Sequence, residues 1–253
     1  GLGTAMVAGA TAAMGAITAF VGSGVKLATD LQAQMAGVQA ILGITADDLE
    51  ILRQKTLDLG LNPNLKVSAV EAAGAIEMLA RNGLGMQEIL DGAAESTILL
   101  ANATGADFSN AANIATDAMA IFKIGADEML AAVDGISSVT VNSKFDINDY
   151  ANALAQGGGA ASVAGVEFDD FNAAIAAMSP LFKAGADAGT SFKTFLQRTV
   201  PQSAQAAEAI EALGLEFFDA DGNMRSMAEI SGQLNQAMYG TSTAMTEVGG
   251  RTA

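Results

Sequence analysis

The stretch AGADAGTSFKTFL, Ala184 to Leu196, opens a run to Ile230 in which five signals of different kinds follow one another. Small residues from Ala184 to Gly189 let one backbone pass close to another, and Thr190 and Ser191 offer N-caps to a helix carrying Phe192, Phe195 and Leu196. Pro201 breaks the chain and is tolerated in a first turn, so a second helix is expected there, with Ala207, Ile210 and Leu213 as its apolar stripe. Gly214 is the expected C-cap. LEFFDADGNM, Leu215 to Met224, then reads as two short extended runs hinged at Asp221-Gly222. Ser226 with Glu229 is a capping box for a further helix through Ile230 and Leu234.

Composition sets the frame around that stretch. In 253 residues there are only three prolines, and alanine, the best helix former, supplies much of the 51% hydrophobic content. Aromatics are 5%, so helices are expected to pack through small side chains. The formal charge of −16, from 28 acids against 12 bases with no basic cluster, argues against sequence-specific nucleic-acid binding. No Cys and no His excludes thiol chemistry, Cys/His zinc sites and His-based triads.

Gly1 to Val25 carries no charge and is long enough to span a bilayer, yet its few strongly apolar residues give an insertion energy of only roughly −2 to −4 kcal/mol. A second pattern crosses from this part into the charged sequence. Met14, Ile17, Val21, Val25, Ala28, Leu31, Met35, Val38 and Leu42 step by three or four, which is the heptad period. One long helix to about Leu42 is expected, its stripe either an oligomer seam or a face laid on the domain's own core.

From Gly43 onward the chain reads as a string of short helical hairpins. Thr45 with Asp48, and Ser68 with Glu71, mark two starts. The first of these helices should stop before Gly60, the second at Asn82-Gly83. Further helices are expected over 86–101, 108–122, 126–139 and 147–154, with a breaker at each join, in turn Gly83, Gly105, Gly125 and the polar VNSKFDIND stretch before Tyr150. Gly157 to Gly159 allows a hinge over 157–164 or a close-packed crossing. The fold class is all-α, with one minor β-hairpin near 215–225. Domain bounds follow as 1–43, 44–240 and 241–253, the last opening a continuing segment. Beginning at Gly1 rather than Met, the sequence is expected to be part of a longer polypeptide.

Candidate chemistry is sparse. Asp219, Asp221, Gly222 and Asn223 resemble a calcium loop in composition, but the glycine falls fourth rather than sixth, and a hairpin turn explains the same residues. The pairs Asp47–Asp48, Asp127–Glu128 and Asp169–Asp170 sit at helix starts, where acids complement the helix dipole. No nucleophile lies beside a base, so no catalytic, cofactor or metal residue is assigned and no enzyme is expected.

Ordered blocks carry a resemblance over roughly Lys26 to Tyr239. They are QMAGVQAILG (Gln34–Gly43), SAVEAAGAIEMLARNGL (Ser68–Leu84), LLANATGADFSNAANIATDAMAIF (Leu99–Phe122), DYANALAQGG (Asp149–Gly158), AGTSFKTFL (Ala188–Leu196), Pro201 and LGLEFFDADGNMR (Leu213–Arg225). This series resembles the tail tape measure proteins of long-tailed phages and related injection particles. The resemblance implies a structural protein of the virion tail, in the lumen of the tube or tip, that sets tail length and is expelled ahead of the DNA into the host envelope. It implies as partners further copies of itself, a threefold arrangement among them, the tail tube protein, tail tip or baseplate hub proteins, a tail assembly chaperone and the host membrane. It transfers no catalytic set; Gly189, Pro201, Gly214, Asp221 and Gly222 enter as structural motif positions. Two rivals are a membrane-active module built on the uncharged first 25 residues, and an acidic helical adaptor unrelated to phages.

Overall fold

Several helix starts in this chain are written locally, by hydroxyl and carboxylate side chains that satisfy the first backbone N–H groups. A computed structural model describes residues 28–250 apart from Asp221, with side chains to Tyr239. Their fold is all-α. The described residues form two compact units, one running to Asn102 together with Asp107–Asn113, the other Ala103–Ala106 with the residues from Ile114 onward.

The first unit holds α1 (28–42), α2 (Ala46–Leu61), α3 (Ala69–Arg81), α4 (Met86–Glu88) and α5 (Ala94–Thr104), the last two joined by a π-helical turn over Ile89–Ala93. Thr45 Oγ1 accepts the Asp48 N–H at 3.2 Å while the Asp48 carboxylate accepts the Thr45 N–H at 3.3 Å, so the capping box forms. Instead of stopping before Gly60, α2 runs on to Leu61. The reason is tertiary: a Cβ on Gly60 would stand 2.5 Å from the Ala69 nitrogen, so the glycine lets the end of α2 meet the start of α3. Leu52 and Leu59 are buried from α2, Ala72, Ala73, Ile76 and Leu79 from α3. Gly92, at φ 140°, kinks the run into α5, a conformation that an L side chain would resist.

The described end of the heptad stripe lies in this same core. Met35 and Val38 are 2% and 0% exposed within the single chain, and the Thr56 hydroxyl lies 3.7 Å from the Met35 sulfur. Leu31 and Leu42 are half-buried. Met35 and Val38 of the stripe thus pack within the chain, and Met14, Ile17, Val21 and Val25 lie outside the described residues.

Ser68 and Glu71 cap α3 reciprocally: Ser68 Oγ accepts the Glu71 N–H at 3.3 Å and the Glu71 carboxylate accepts the Ser68 N–H at 2.8 Å. The Ser68 N–H, and then its hydroxyl, hold the Glu71 carboxyl below the usual range. A folded-state pKa below the unfolded one stabilises above the unfolded value and is lost as pH falls through the folded value. Ser68→Ala is therefore expected to cost about 1 kcal/mol at neutral pH. Glu71→Gln should flatten the acid limb of stability against pH, read by urea melts between pH 3 and pH 6.

The second unit is built on an up-down-up-down arrangement of α7 (Met129–Asn142), a continuous rod α8 (Ile147–Ala153), π turn Leu154–Gly158 and α9 (Gly159–Val163), then α10 (Phe168–Met178) and α11 (Gly185–Thr199). It follows α6 (Phe108–Phe122), whose residues from Ile114 belong to this unit. α7 and α10 run the same way: Gly135 stands against Phe168 and Asn172, and the Lys144 N–H donates to Ser179 Oγ at 3.4 Å. The α8–α9 rod runs with α11, Asp149 beside Gly185 and Ala153 beside Gly189. Scarce aromatics are gathered in the middle. Phe171 is fully buried, with ring centroids 5.3 Å from Phe122, 5.8 Å from Phe192 and 6.5 Å from Tyr150.

Around this bundle two expectations change. The helix expected to open at Pro201 is α12 (Ala204–Ala212), which starts three residues later because Ser203 Oγ accepts the Ala206 N–H at 3.2 Å. None of its residues is buried, and Leu213 beyond it is 45% exposed, so the Ala207, Ile210, Leu213 stripe is not a core face. The hairpin reduces to one antiparallel bridge, Phe218 with Met224. Its turn is tight, with the Asp219 carboxylate accepting the Asn223 N–H at 2.8 Å, and the Ser226 capping box starts α13 (Met227–Gly250) before further pairing can form.

Candidate functional site

Three of the sequence blocks singled out above meet in the second unit. DYANALAQGG supplies α8 and its π turn, AGTSFKTFL supplies most of α11, and LGLEFFDADGNMR supplies Phe217, whose ring lies 6.5 Å from Phe195. The contact between the first two is main chain against main chain. A Cβ on Gly185 would overlap the Asp149 carbonyl, one on Gly189 the Ala153 carbonyl, and one on Gly157 would stand 2.9 Å from the Gly189 oxygen. Ala188 is buried on α11, and Gly158 is buried against Leu154 and against Ile121 of α6. Glycine at these points removes the side chains that would hold the helices apart, as in small-residue helix crossings generally.

Polar groups fix the register of that crossing. The Gly185 N–H donates to Asp149 Oδ1 at 2.9 Å, so a carboxylate on α8 caps α11. This cap moves the start of α11 to Gly185 and leaves Thr190 and Ser191 inside the helix rather than at its N-cap. One residue on, Tyr150 is fully buried and its hydroxyl donates to Asn172 Oδ1 at 2.7 Å. Burial pushes the Tyr150 phenol above its usual range, so it remains a neutral donor. Tyr150→Phe keeps the ring and strands a buried acceptor; the expected loss is about 1 to 3 kcal/mol in a denaturant melt, with the helical CD signal retained.

The remaining candidate residues have structural positions. Gly214 has φ 66° and Gly222 φ 86°, each at a turn; Pro201 lies between α11 and α12; Asp221 is outside the described residues. Asp47 and Asp48, Asp127 and Glu128, and Asp169 and Asp170 all fall in first helical turns, and Asp170 Oδ2 also accepts the Met227 N–H at 3.2 Å. Among the described residues no group of three or more acidic, His or Cys side chains converges to hold a metal. What this site does is position helices.

The chain has relatives among known proteins. The profile of the family described as Phage-related minor tail protein matches residues 53–250. The chain belongs to that phage-related minor tail protein family. Among curated proteins it is similar to the "Tape measure protein" of Pneumococcus phage Dp-1, 29% identical over 221 residues, which is 87% of this chain and 19% of the relative. It is also similar to the "Probable tape measure protein" of Escherichia phage P2, 28% identical over 196 residues, 76% of this chain and 24% of that one. The chain thus spans about a fifth to a quarter of the length of these curated relatives. No solved structure matches it. Membership in this minor tail protein family gives the chain a structural role in a phage tail.

Tyr150, Asn172 and Asp149 were not among the candidates that sequence singled out. Their partners lie 22 and 36 residues away, and no local spacing marks them. An aromatic next to an acid at a helix start, facing a small-residue stretch downstream, is the faint signal the sequence does hold.

Proposed function

We propose that this chain is a folded helical module of a tape measure protein, acting in tail assembly, in determination of tail length and in genome delivery. The observation that carries this reading is its similarity, across most of its length, to two tape measure proteins. The reading assigns it to the lumen of the tail tube or tip, with tube and tip proteins and further copies of itself as partners, and with the host envelope as its destination on ejection.

Physical geometry refines the role. A continuous helix rises about 1.5 Å per residue, so residues 44–240 would span roughly 300 Å if they measured length as one helix. Here that segment is folded into short helices doubled back on one another. The module is therefore not itself the ruler. Phages carrying an in-frame deletion or a tandem duplication of residues 44–240 are expected to keep the parental tail length wherever tails form. A change of several hundred ångströms in electron micrographs, down for the deletion and up for the duplication, would refute this.

The uncharged stretch Gly1 to Val25 supports a second reading, a segment that enters the host membrane during ejection. Among the described residues no helix is long and apolar enough to cross a membrane. Co-flotation of a 1–42 peptide with liposomes would support this reading, and a peptide left at the bottom of the gradient would remove it.

A further inference from the structure

Asn82-Gly83 is the one asparagine–glycine pair in the sequence, and it closes α3. Glycine carries no side chain to shield its own nitrogen, so the carboxamide carbon of Asn82 has an open backbone nitrogen next in the chain. Both residues are exposed, and a Cβ on Gly83 would meet nothing within 4 Å. The folded helix end keeps the two groups from reacting. Gly83, at φ 97°, donates its N–H to the Ala80 carbonyl at 3.1 Å, and the Leu84 N–H donates to the Leu79 carbonyl at 3.1 Å. These are the paired bonds of a glycine-closed helix, and Leu84 and Leu79 are both buried. Asn82 has ψ 4°, which turns the Gly83 nitrogen toward the nitrogen of Asn82 itself and away from its Cβ. The Asn82 side chain is held as well, Nδ2 donating to Asn113 Oδ1 of α6 at 2.9 Å.

We propose that Asn82 is a deamidation site, restrained by this helix end and released when it opens. The reaction is intramolecular and consumes water, with no oxidant or reductant. The Gly83 nitrogen gives up its proton and bonds to Asn82 Cγ; the Cγ–Nδ2 bond breaks, and Nδ2 leaves as ammonia with that proton. Water then opens the cyclic imide at either carbonyl, leaving aspartate or isoaspartate. In the closed form the nucleophile is engaged with Ala80, ψ aims it away from Cγ, and the leaving group is engaged with Asn113. Fraying of the end of α3 removes all three restraints together, so the rate follows the population of the opened end. Aspartate replaces the donor to Asn113 with an acceptor, and isoaspartate lengthens the main chain by one carbon inside the turn. Neither product returns to the amide, so the modified fraction is a cumulative record of opening.

The test uses the full chain in mildly alkaline buffer, with peptide mapping by mass spectrometry to locate each amide that becomes an acid. In guanidinium Asn82 is expected to convert ahead of every other asparagine, and about tenfold or more faster than in the folded chain. Gly83→Ala should slow it severalfold in guanidinium, because the methyl shields the nucleophile. Leu84→Ala loosens the closing turn; it should speed conversion about threefold or more in native buffer and leave the rate in guanidinium unchanged. Asn113→Ala, at an exposed position, spares the core and should act in the same direction with a smaller effect. Equal rates in the folded and unfolded chain would mean that the helix end restrains nothing. Another asparagine converting first in guanidinium would move the site, and folded rates unmoved by both Leu84→Ala and Asn113→Ala would mean that opening here is not the gate. Any of these three results overturns the proposal.

Discussion

Replacing Gly185 with alanine is expected to destabilise the second unit by about 3 kcal/mol or more, lowering its thermal midpoint by roughly 10 °C. The added methyl would overlap the Asp149 carbonyl, which is main chain within α8 and cannot swing aside as a side chain would. Separating the helices to make room also lengthens the 2.9 Å bond from the Gly185 N–H to Asp149 and loosens the neighbouring Tyr150 to Asn172 pair. Two substitutions in the facing glycine run check that position, rather than glycine as such, is responsible. Gly157→Ala meets the Gly189 oxygen and should destabilise, whereas Gly159, helical and with nothing within 4 Å of its added Cβ, should gain about 0.4 to 1 kcal/mol as alanine. Melts of all three that shift in the same direction would contradict the crossing.

Phe171→Ala should be as severe or worse, a loss of about 3 to 5 kcal/mol. Phe171 touches the rings from α6, α8 and α11, so its removal opens a void where three helices converge. Against a total stability of about 5 to 15 kcal/mol for a domain, that leaves the unit marginal or unfolded at 37 °C. Phe171→Leu, which keeps most of the volume, should cost roughly 1.5 kcal/mol or less. Equilibrium unfolding in guanidinium with a CD readout distinguishes the two, and a Phe171→Ala variant as stable as Phe171→Leu would show that the aromatic centre is not the core.

How far the residues alone predict this fold depends on how local each cause is. Capping boxes at Thr45, Ser68 and Ser226 join groups three positions apart, and all three form where spacing places them. The start of α11 could not be read that way, because its cap is Asp149, on another helix. Gly60 looks like a stop signal by propensity, yet the contact with Ala69 overrides it. The glycines from Gly157 to Gly159 allow both a hinge and a crossing; Gly158 and Gly159 are helical, and their neighbour Gly157 faces Gly189, a partner no local pattern names. The hairpin failed to extend for the opposite reason, since two strong local signals, the Asp219 turn and the Ser226 cap, leave too few residues between them for a ladder.

The sealed phenol at the heart of the bundle also makes the chain its own gauge. There is no tryptophan, and the two tyrosines occupy opposite settings, Tyr150 wholly enclosed and Tyr239 72% exposed on α13. In an alkaline jump the ultraviolet absorbance of Tyr150 therefore needs no label to report on the fold, because that phenol ionises at the pace at which the helices part.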